Sequence, residues 1–445
     1  MVYVQNIYGR PLMPTRHYGK VKHMLRDGRA KVVHKEPFTI RLLYETTEYT
    51  QPVTAGIDTG SGTFGAAAVA DDTHEVLYQS SVEVRNDIKT KMTRRADYRR
   101  IRRNRKTRYR KARFNNRKNS IKTDRFSPTM VSKINAHCRE IEFIKSILPV
   151  TKLVFETGVF DPYLLKCPEL ADKEYARWGY QHGPNYGYAN TKAMVKARDG
   201  YKCVLCKGKS KDKHLHVHHV VFRSEDGSDE ESNLVTLCKT CHDKLHHGEI
   251  EYKAKGKHKG TLLYATQMNS IRVQLLRIYP EAIETFGYVT SENCQLYGLP
   301  KEHYVDAAVI ASGIHKPVFV DNILYLKKCV AKGDYQQRKG VRSEKSIPIC
   351  KIAGFRKFDK VMYNGIECFI KGRMSASKTA ILCDITGKKI DFPHVPKLAD
   401  MERVAARGCQ MCIVQKTDLT EHFASSPGMV SDDIVKQCIE SQSFK

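Results

Sequence analysis

Two cysteine pairs, Cys203-x2-Cys206 and Cys238-x2-Cys241, constrain this chain more than any other feature. Thirty-one residues separate the pairs, and two such knuckles supply the four thiolates of a closed tetrahedral structural zinc site. The rest of the cysteine usage agrees. Fourteen cysteines in 445 residues, with histidines flanking the pairs, point to metal binding in a reducing compartment rather than to a disulfide framework. Cys409-x2-Cys412 has only Cys383 as a loose third partner, which leaves a second zinc site incomplete.

Between the pairs, Leu215-His216-Val217-His218-His219-Val220 reads as a strand whose alternation puts His218 and His219 on opposite faces. From Cys241 onward the chain reads as a helix, with His242 and His246 one turn apart on one side. Two histidines from a strand and two from a helix can therefore converge.

Lys and Arg total 76 against 48 Asp and Glu, a formal net charge of +28. That exceeds what solubility asks for and implies a polyanionic partner. No apolar run of signal-peptide length opens the chain and no segment approaches a membrane span, so a soluble intracellular protein is expected. The charge is concentrated: between Lys89 and Lys122 stand seventeen Lys or Arg and one acid, Asp97. This stretch reads as a helix, with Arg94, Arg95, Arg99, Arg100, Arg102, Arg103, Arg105, Arg108, Arg110 and Arg113 leaving no apolar stripe. A charge run is ordinarily a solvated face. Interleaved Tyr98, Tyr109 and Phe114, and the internal position of the run, favour nucleic acid instead, because arginine forks phosphates and stacks on bases.

Elsewhere the pattern alternates strands and helices. Residues 1–50, with Pro11-Leu12-Met13-Pro14 and a strand over 37–44, form a small α/β module. Three strands are expected at 53–58, 64–70 and 75–84, and a fourth at 152–156. An amphipathic helix carrying Ile134, Cys138, Ile141, Ile144 and Ile147 stops at Pro149. Segments 162–195 and 248–264 read as linkers, 268–286 as a helix, 303–311 as a helix, and 316–445 as a separate basic, β-rich module.

Asp58, Glu156 and Asp306 each fall at the end of an expected strand or near a helix beside one. Singly each is an ordinary turn, cap or surface charge. Together they fit an RNase H-like sheet in which acids on neighbouring strands hold two cations roughly 4 Å apart for attack on a phosphodiester. His303, one turn before Asp306, is placed to assist proton transfer.

The strand, loop and helix of the zinc-stapled segment resemble the HNH (ββα-metal) nuclease motif. That resemblance implies His219 as general base, His218 and His242 facing a magnesium ion, Asn233 ordering the loop, and His246 at a position some relatives use for metal or phosphate. The chain order Gly56-Ile57-Asp58-Thr59-Gly60, arginine helix, Phe155-Glu156, HNH insert, His303-x2-Asp306 resembles the split RuvC nuclease of the IscB family, compact relatives of the CRISPR double-strand-cutting effectors. Pro11 to Pro14 matches the motif that names the family's N-terminal PLMP domain, and residues 301–311 match its third RuvC segment. Most of 1–315 carries the resemblance at specific motifs; 316–445 shares only position and character.

What the resemblance implies is an α+β multidomain protein: a RuvC core of RNase H-like α/β type, split by an inserted zinc-binding HNH domain. Its parts would be the PLMP domain (1–50), RuvC segments (51–88, 123–161, 265–320), a bridge helix (89–122), linkers (162–195, 248–264), the HNH domain (196–247) and a C-terminal domain (321–445) reading a target-adjacent motif. Asp58, Glu156 and Asp306 would bind two Mg²⁺; Cys203, Cys206, Cys238 and Cys241 a structural Zn²⁺. The implied protein is a transposon-associated, monomeric ribonucleoprotein of the prokaryotic cytoplasm, working at the nucleoid. An omega RNA would select double-stranded DNA, HNH cutting the guide-paired strand and RuvC the displaced one. An RNA-independent HNH restriction or homing endonuclease is the main alternative, but it leaves the three acids idle. A non-catalytic RNA-binding scaffold would require two metal constellations to arise by chance.

Overall fold

Small residues on two strands decide how the core packs. In the computed structural model, which describes residues 1–104, 126–160, 187–210, 212–222, 225, 227, 229–250, 252, 263–331, 351–374 and 376–417, the chain opens with β1 (Val2–Gln5), β2 (Pro11–Thr15), α1 (Tyr18–Arg26), β3 (Ala30–His34) and β4 (Thr39–Leu42). These strands form a four-stranded sheet in the order β2-β1-β4-β3. The Pro-Leu-Met-Pro run is its outermost strand, where a missing backbone N–H is tolerated. Tyr3 donates its hydroxyl to Leu77 O at 2.8 Å, tying this sheet to the next.

The main sheet starts with β5 (Val53–Asp58), β6 (Thr63–Ala70) and β7 (Val76–Glu83), each within two residues of the sequence expectation. After them come α2 (Ile88–Asn104), α3 (Pro128–Ile147) and β8 (Val150–Thr157). Helix α3 is capped by the Ser127 side chain, which accepts from Met130 N–H, with Pro128 at its first turn.

The chain divides into two units, Met1–Gly158 with Ser270–Lys445, and Val159–Asn269. The second contains α4 (Thr191–Arg198), β9 (Leu215–His219), β10 (Leu234–Cys238) and α5 (Lys239–His246). Beyond them run α6 (Leu263–Ile278), β11 (Ile283–Phe286), α7 (Gly287–Leu296), α8 (His303–Ser312) and β12 (Ile323–Cys329). The helix expected over 268–286 therefore ends at Ile278, because Pro280 cannot continue it, and 283–286 is a strand.

The seven-stranded sheet has the order β11-β8-β5-β6-β7-β12-β17, with β17 spanning Gln410–Lys416. Pairs β5/β6 and β6/β7 are antiparallel; β5/β8 and β8/β11 are parallel. Strand β5 is buried at all six positions, as a strand covered on both faces should be. Opposite faces of β6 meet different helices. Ala67 and Val69 pack with Val305, Ala307, Ala308 and Ala311 of α8, while Phe64 stacks on His137 of α3. Helix α8 lies so close that a Cβ on Gly56 would fall 2.3 Å from Ala307 O, and one on Gly65 1.8 Å from His303 O.

Among the described residues from 316 onward, two strands join the main sheet and four form a sheet apart. Strand β12 pairs parallel with β7, and β17 antiparallel with β12, so both extend the main sheet. Among the described residues, β13 (Lys360–Tyr363), β14 (Ile366–Met374), β15 (Thr379–Cys383) and β16 (Glu402–Ala405) make a sheet of their own. The physical tie is a buried one: Lys327 of β12 donates to both Glu140 oxygens at 2.9 Å and to Tyr78 Oη at 2.7 Å. A single sequence marks strands by pattern and does not say which sheet they join.

Gly56→Ala should destabilise the sheet unit by about 1–3 kcal/mol, since backbone rather than a yielding side-chain tip meets the new methyl. Thermal denaturation checks this; an unchanged melting temperature would mean that α8 can move off β5 at no cost.

Candidate active site

Register brings the first pair of acids together. Asp58 ends β5 directly beside Glu156 of parallel β8, and opposite Gly65 of β6. Because Gly65 carries no side chain, the backbone of α8 approaches at that point. Asp306 lies in the first turn of α8, where the helix dipole favours an acid. Asp58 is 7% exposed and Asp306 5%, so neither is a surface charge.

Each acid has identifiable partners. His303 Nδ1 lies 2.5 Å from Asp58 Oδ2. Lys301 Nζ stands 2.9 Å from Asp306 Oδ2, and the Cys294 thiol donates to Asp306 Oδ1 at 3.3 Å. Burial pushes the Cys294 thiol up to about 12, so it stays a neutral donor. Burial raises the Asp58 carboxyl above the usual range, against the lowering effect of its bond to His303. The Glu156 carboxyl is also raised, by burial first and then by repulsion from Asp58 and Asp306, while a hydrogen bond with Thr290 opposes the shift. His303 is raised by its bond to Asp58. Glu156 Oε2 is buried with no hydrogen-bond partner. Raised carboxyls and an orphaned oxygen are groups that a hard divalent cation satisfies, but Asp58, Glu156 and Asp306 do not bring one oxygen each within 4.8 Å of the others, as the cysteines and the three histidines do with their ligand atoms. Cys294 carries no motif signal and Lys301 opens the 301–311 segment without a role read from it; the folded chain brings both to Asp306.

In the second unit, antiparallel β9 and β10 place Val235 opposite His218 and Leu234 opposite His219. Their alternation separates the two histidines. His218, 4% exposed, meets His242 and His246 of α5, with one ring nitrogen from each within 4.8 Å of the others. His242 Nε2 and His246 Nε2 are 3.3 Å apart. Burial and the two neighbouring imidazoles drive His218 down to about 4, so it is a neutral ligand at physiological pH. Three imidazoles suit a borderline ion such as zinc or nickel better than the magnesium expected from sequence, since magnesium favours oxygen donors.

His219 stands apart from that cluster, its Nε2 2.7 Å from Asp229 Oδ1. Asp229 was not anticipated, because no spacing rule links a loop acid to a histidine ten residues earlier. Asn233, fully buried, clamps the loop: its Oδ1 accepts from Val221 N–H at 2.8 Å and its Nδ2 donates to Val221 O at 3.0 Å.

Cys203, Cys206, Cys238 and Cys241 gather their sulfurs within 4.8 Å of one another, an arrangement compatible with zinc. The Ser210 hydroxyl lies 3.3 Å from Cys206 Sγ and 3.1 Å from Cys238 Sγ, and its hydrogen bonding lowers the Cys206 thiol to about 6. Burial pushes Cys241 the other way. Four sulfurs this close repel one another as thiolates unless a cation joins them. Cys383 and Cys412 lie on β15 and β17, and among the described residues no cluster of three metal donors includes them or Cys409.

Arg94, Arg95, Arg99 and Arg100 are exposed along α2, where Ala96 alone among residues 89–101 is partly covered. Arg105, Arg108, Arg110 and Arg113, and the side chains of Arg102 and Arg103, lie outside the described residues. Among the described residues no helix is long and apolar enough to cross a membrane.

Residues 2–178, which contain the run Arg99-Arg100-Ile101-Arg102-Arg103, match the family model described as RRXRR protein, and residues 203–248 match that of the HNH endonuclease. Over 67 residues the chain is 36% identical to anaredoxin of Nostoc sp. (strain PCC 7120), covering 15% of this chain and 84% of that protein. Among solved structures it is similar to Streptococcus thermophilus Cas9 in complex with the AGAA PAM, with TM-score 0.27, 11% identity and coverage of 42% of this chain and 26% of that one. The type II-C Cas9 of Actinomyces naeslundii aligns with TM-score 0.16 and 14% identity, over 41% and 30% of the two chains. The chain thus spans less than a third of the length of either Cas9.

Cys203→Ser should release zinc and unfold residues 203–248, because a finger this small draws its stability from the metal. Zinc content and circular dichroism check it; retained zinc with a native spectrum would overturn the structural assignment.

Proposed function

We propose that this chain, whose residues 2–178 match the RRXRR family model and 203–248 that of the HNH endonuclease, is an IscB-like enzyme that cuts both strands of duplex DNA under the direction of a guide RNA. The observation that carries this reading is the meeting of Asp58 and Glu156 in register, with Asp306 delivered by α8, in a chain that also holds a separate histidine cluster. An RNA-independent HNH enzyme needs only the histidines. The strand order β7-β6-β5-β8-β11, antiparallel then parallel, is the arrangement expected of an RNase H-like RuvC core and supports the second cutting centre.

In the carboxylate centre, Asp58, Glu156 and Asp306 would hold magnesium, which when bound supplies charge stabilisation for phosphodiester hydrolysis. His303, hydrogen-bonded to Asp58, is the group able to move a proton there. In the histidine centre, His218, His242 and His246 would hold one divalent ion. His219 engages Asp229 through Nε2, which leaves Nδ1 as the acceptor for a proton from the attacking water. Asn233 keeps the intervening loop in shape.

Helix α2, basic on all exposed sides, suits the phosphates of a structured omega RNA, and the net charge of +28 suits a nucleoprotein. Such charge binds phosphates without regard to sequence, so base pairing with the guide does the selecting. The sheet of β13 to β16 is the candidate reader of a target-adjacent motif. We place the particle in the cytoplasm as a monomeric ribonucleoprotein of a mobile element.

Two substitutions in the full RNA complex separate the centres. His219→Ala should lower cutting of the guide-paired strand by 10²-fold or more, as loss of a general base does, and leave a nick in the displaced strand. Asp58→Ala should give the opposite nick. Strand-resolved gels read both; double-strand cleavage unchanged by either substitution would remove these roles. Sequencing the RNA that copurifies with the chain tests guidance itself: no RNA of defined length, with cutting at fixed sites unaided, would favour the RNA-independent enzyme.

A further inference from the structure

Asp58 sits at the very end of its strand, so its aim depends on the turn that follows. That turn is tethered on two sides. The Thr59 hydroxyl donates to Glu156 O at 2.7 Å, fastening the turn to β8. On the other side, Gly60 N–H donates to His137 Nε2 at 3.4 Å. The turn is also too tight for a side chain at Gly60, where a Cβ would lie 1.6 Å from Thr63 O.

His137 is built to be that anchor. It is fully buried on α3, and its Nδ1 lies 2.9 Å from Lys133 O one turn earlier. A carbonyl can only accept, so Nδ1 carries the proton and Nε2 presents a lone pair. The ring is held flat against Phe64, with centroids 4.0 Å apart and planes 19° from parallel. Phe64 in turn precedes Gly65, the residue opposite Asp58. Burial keeps His137 neutral down to about pH 4, so its acceptor does not titrate where a nuclease would be assayed. A buried polar ring with a fixed tautomer is a costly way to fill a core that Phe or Leu would fill. The nearby groups it faces are Lys133 on its own helix, and Phe64 and Gly60 from the sheet side.

We propose that His137 is a positioning residue for the carboxylate centre: through Gly60 N–H it fixes the turn that aims Asp58 at its cation. The inference rests on the reading of Asp58 as a metal-binding carboxylate. It places the control of Asp58 on α3, on the face of the sheet away from the acids.

His137→Phe keeps a flat ring against Phe64 and removes only the acceptor. In the full RNA complex, cutting of the displaced strand should fall about tenfold or more, the scale on which small misplacements of a catalytic group act. Cutting of the guide-paired strand should be unchanged. Without nucleic acid, Mn²⁺ affinity at the carboxylates, read by electron paramagnetic resonance as the difference from Asp58→Ala, should weaken severalfold. His137→Gln, whose amide oxygen can accept from Gly60, should recover most of both, which mere packing would not require. Thr59→Val removes the other tether without entering the core and should give the same strand-selective loss even if the Phe variant folds poorly. Wild-type Mn²⁺ affinity in His137→Phe, or equal slowing of both strands, overturns the proposal. Wild-type protein that shows no Mn²⁺ binding dependent on Asp58 overturns the carboxylate centre itself, and this inference with it.

Discussion

The parallel pairing of β5 with β8 is the constraint on which the rest depends. One register step matches Asp58 with Glu156, and a slip by one residue would send one of the two carboxyls to the other face of the sheet. The pairing is secured by apolar burial along β5 rather than by the acids, which oppose it. Both carboxyls are raised by burial, and Glu156 is raised further by its neighbours. For an acid, a folded pKa above the unfolded one means a stability cost at neutral pH, relieved as pH falls through the raised value or as a cation binds. The sheet thus holds in place a cluster that, without a counter-ion, works against folding.

Glycine and alanine make the third acid reachable. Had β5 and β6 carried bulky residues at 56, 65 and 67, α8 would stand farther off and Asp306 with it. Sequence patterns locate strands and acids well, as Val53–Asp58 and the neighbouring Thr63–Ala70 illustrate, because alternation and turn residues are local signals. The same holds for the cysteine pairs, whose spacing encodes their convergence. Partnerships across long separations are not local. Lys327 with Glu140, His219 with Asp229, and Cys294 with Asp306 follow no repeat and emerge only from topology. The assignment of β12 and β17 to the main sheet belongs to this class too. Their strand character is visible in the residues, but pairing with β7 is a choice among edges.

The histidine cluster and the carboxylate cluster solve the same electrostatic problem differently. Imidazoles can be crowded because they lose their protons: His218, pressed by His242 and His246, is neutral well below physiological pH. Carboxylates can be crowded only by gaining protons or positive neighbours, and Lys301 and His303 provide the latter. Imidazole therefore offers a ready lone pair to a borderline metal, whereas the carboxylate site must exchange an internal ion pair for a hard one.

The chain gives over the long connection between β8 and β11 to the histidine-bearing unit. Parallel neighbours always need a crossover, so that connection is present whatever it contains. Loop-closure entropy grows only logarithmically with length, so lengthening it costs little once the β8/β11 pair has formed. Among the described residues, two short strands and two eight-residue helices, α4 and α5, bury little apolar surface. The four cysteines answer the deficit, since Cys203, Cys238 and Cys241 form the core around Leu237 as well as a thiolate cluster. A metal at these cysteines would therefore be the counterpart of the crossover's tolerance: the first would hold the finger's fold, and the second lets the acids on β5 and β8 keep their register.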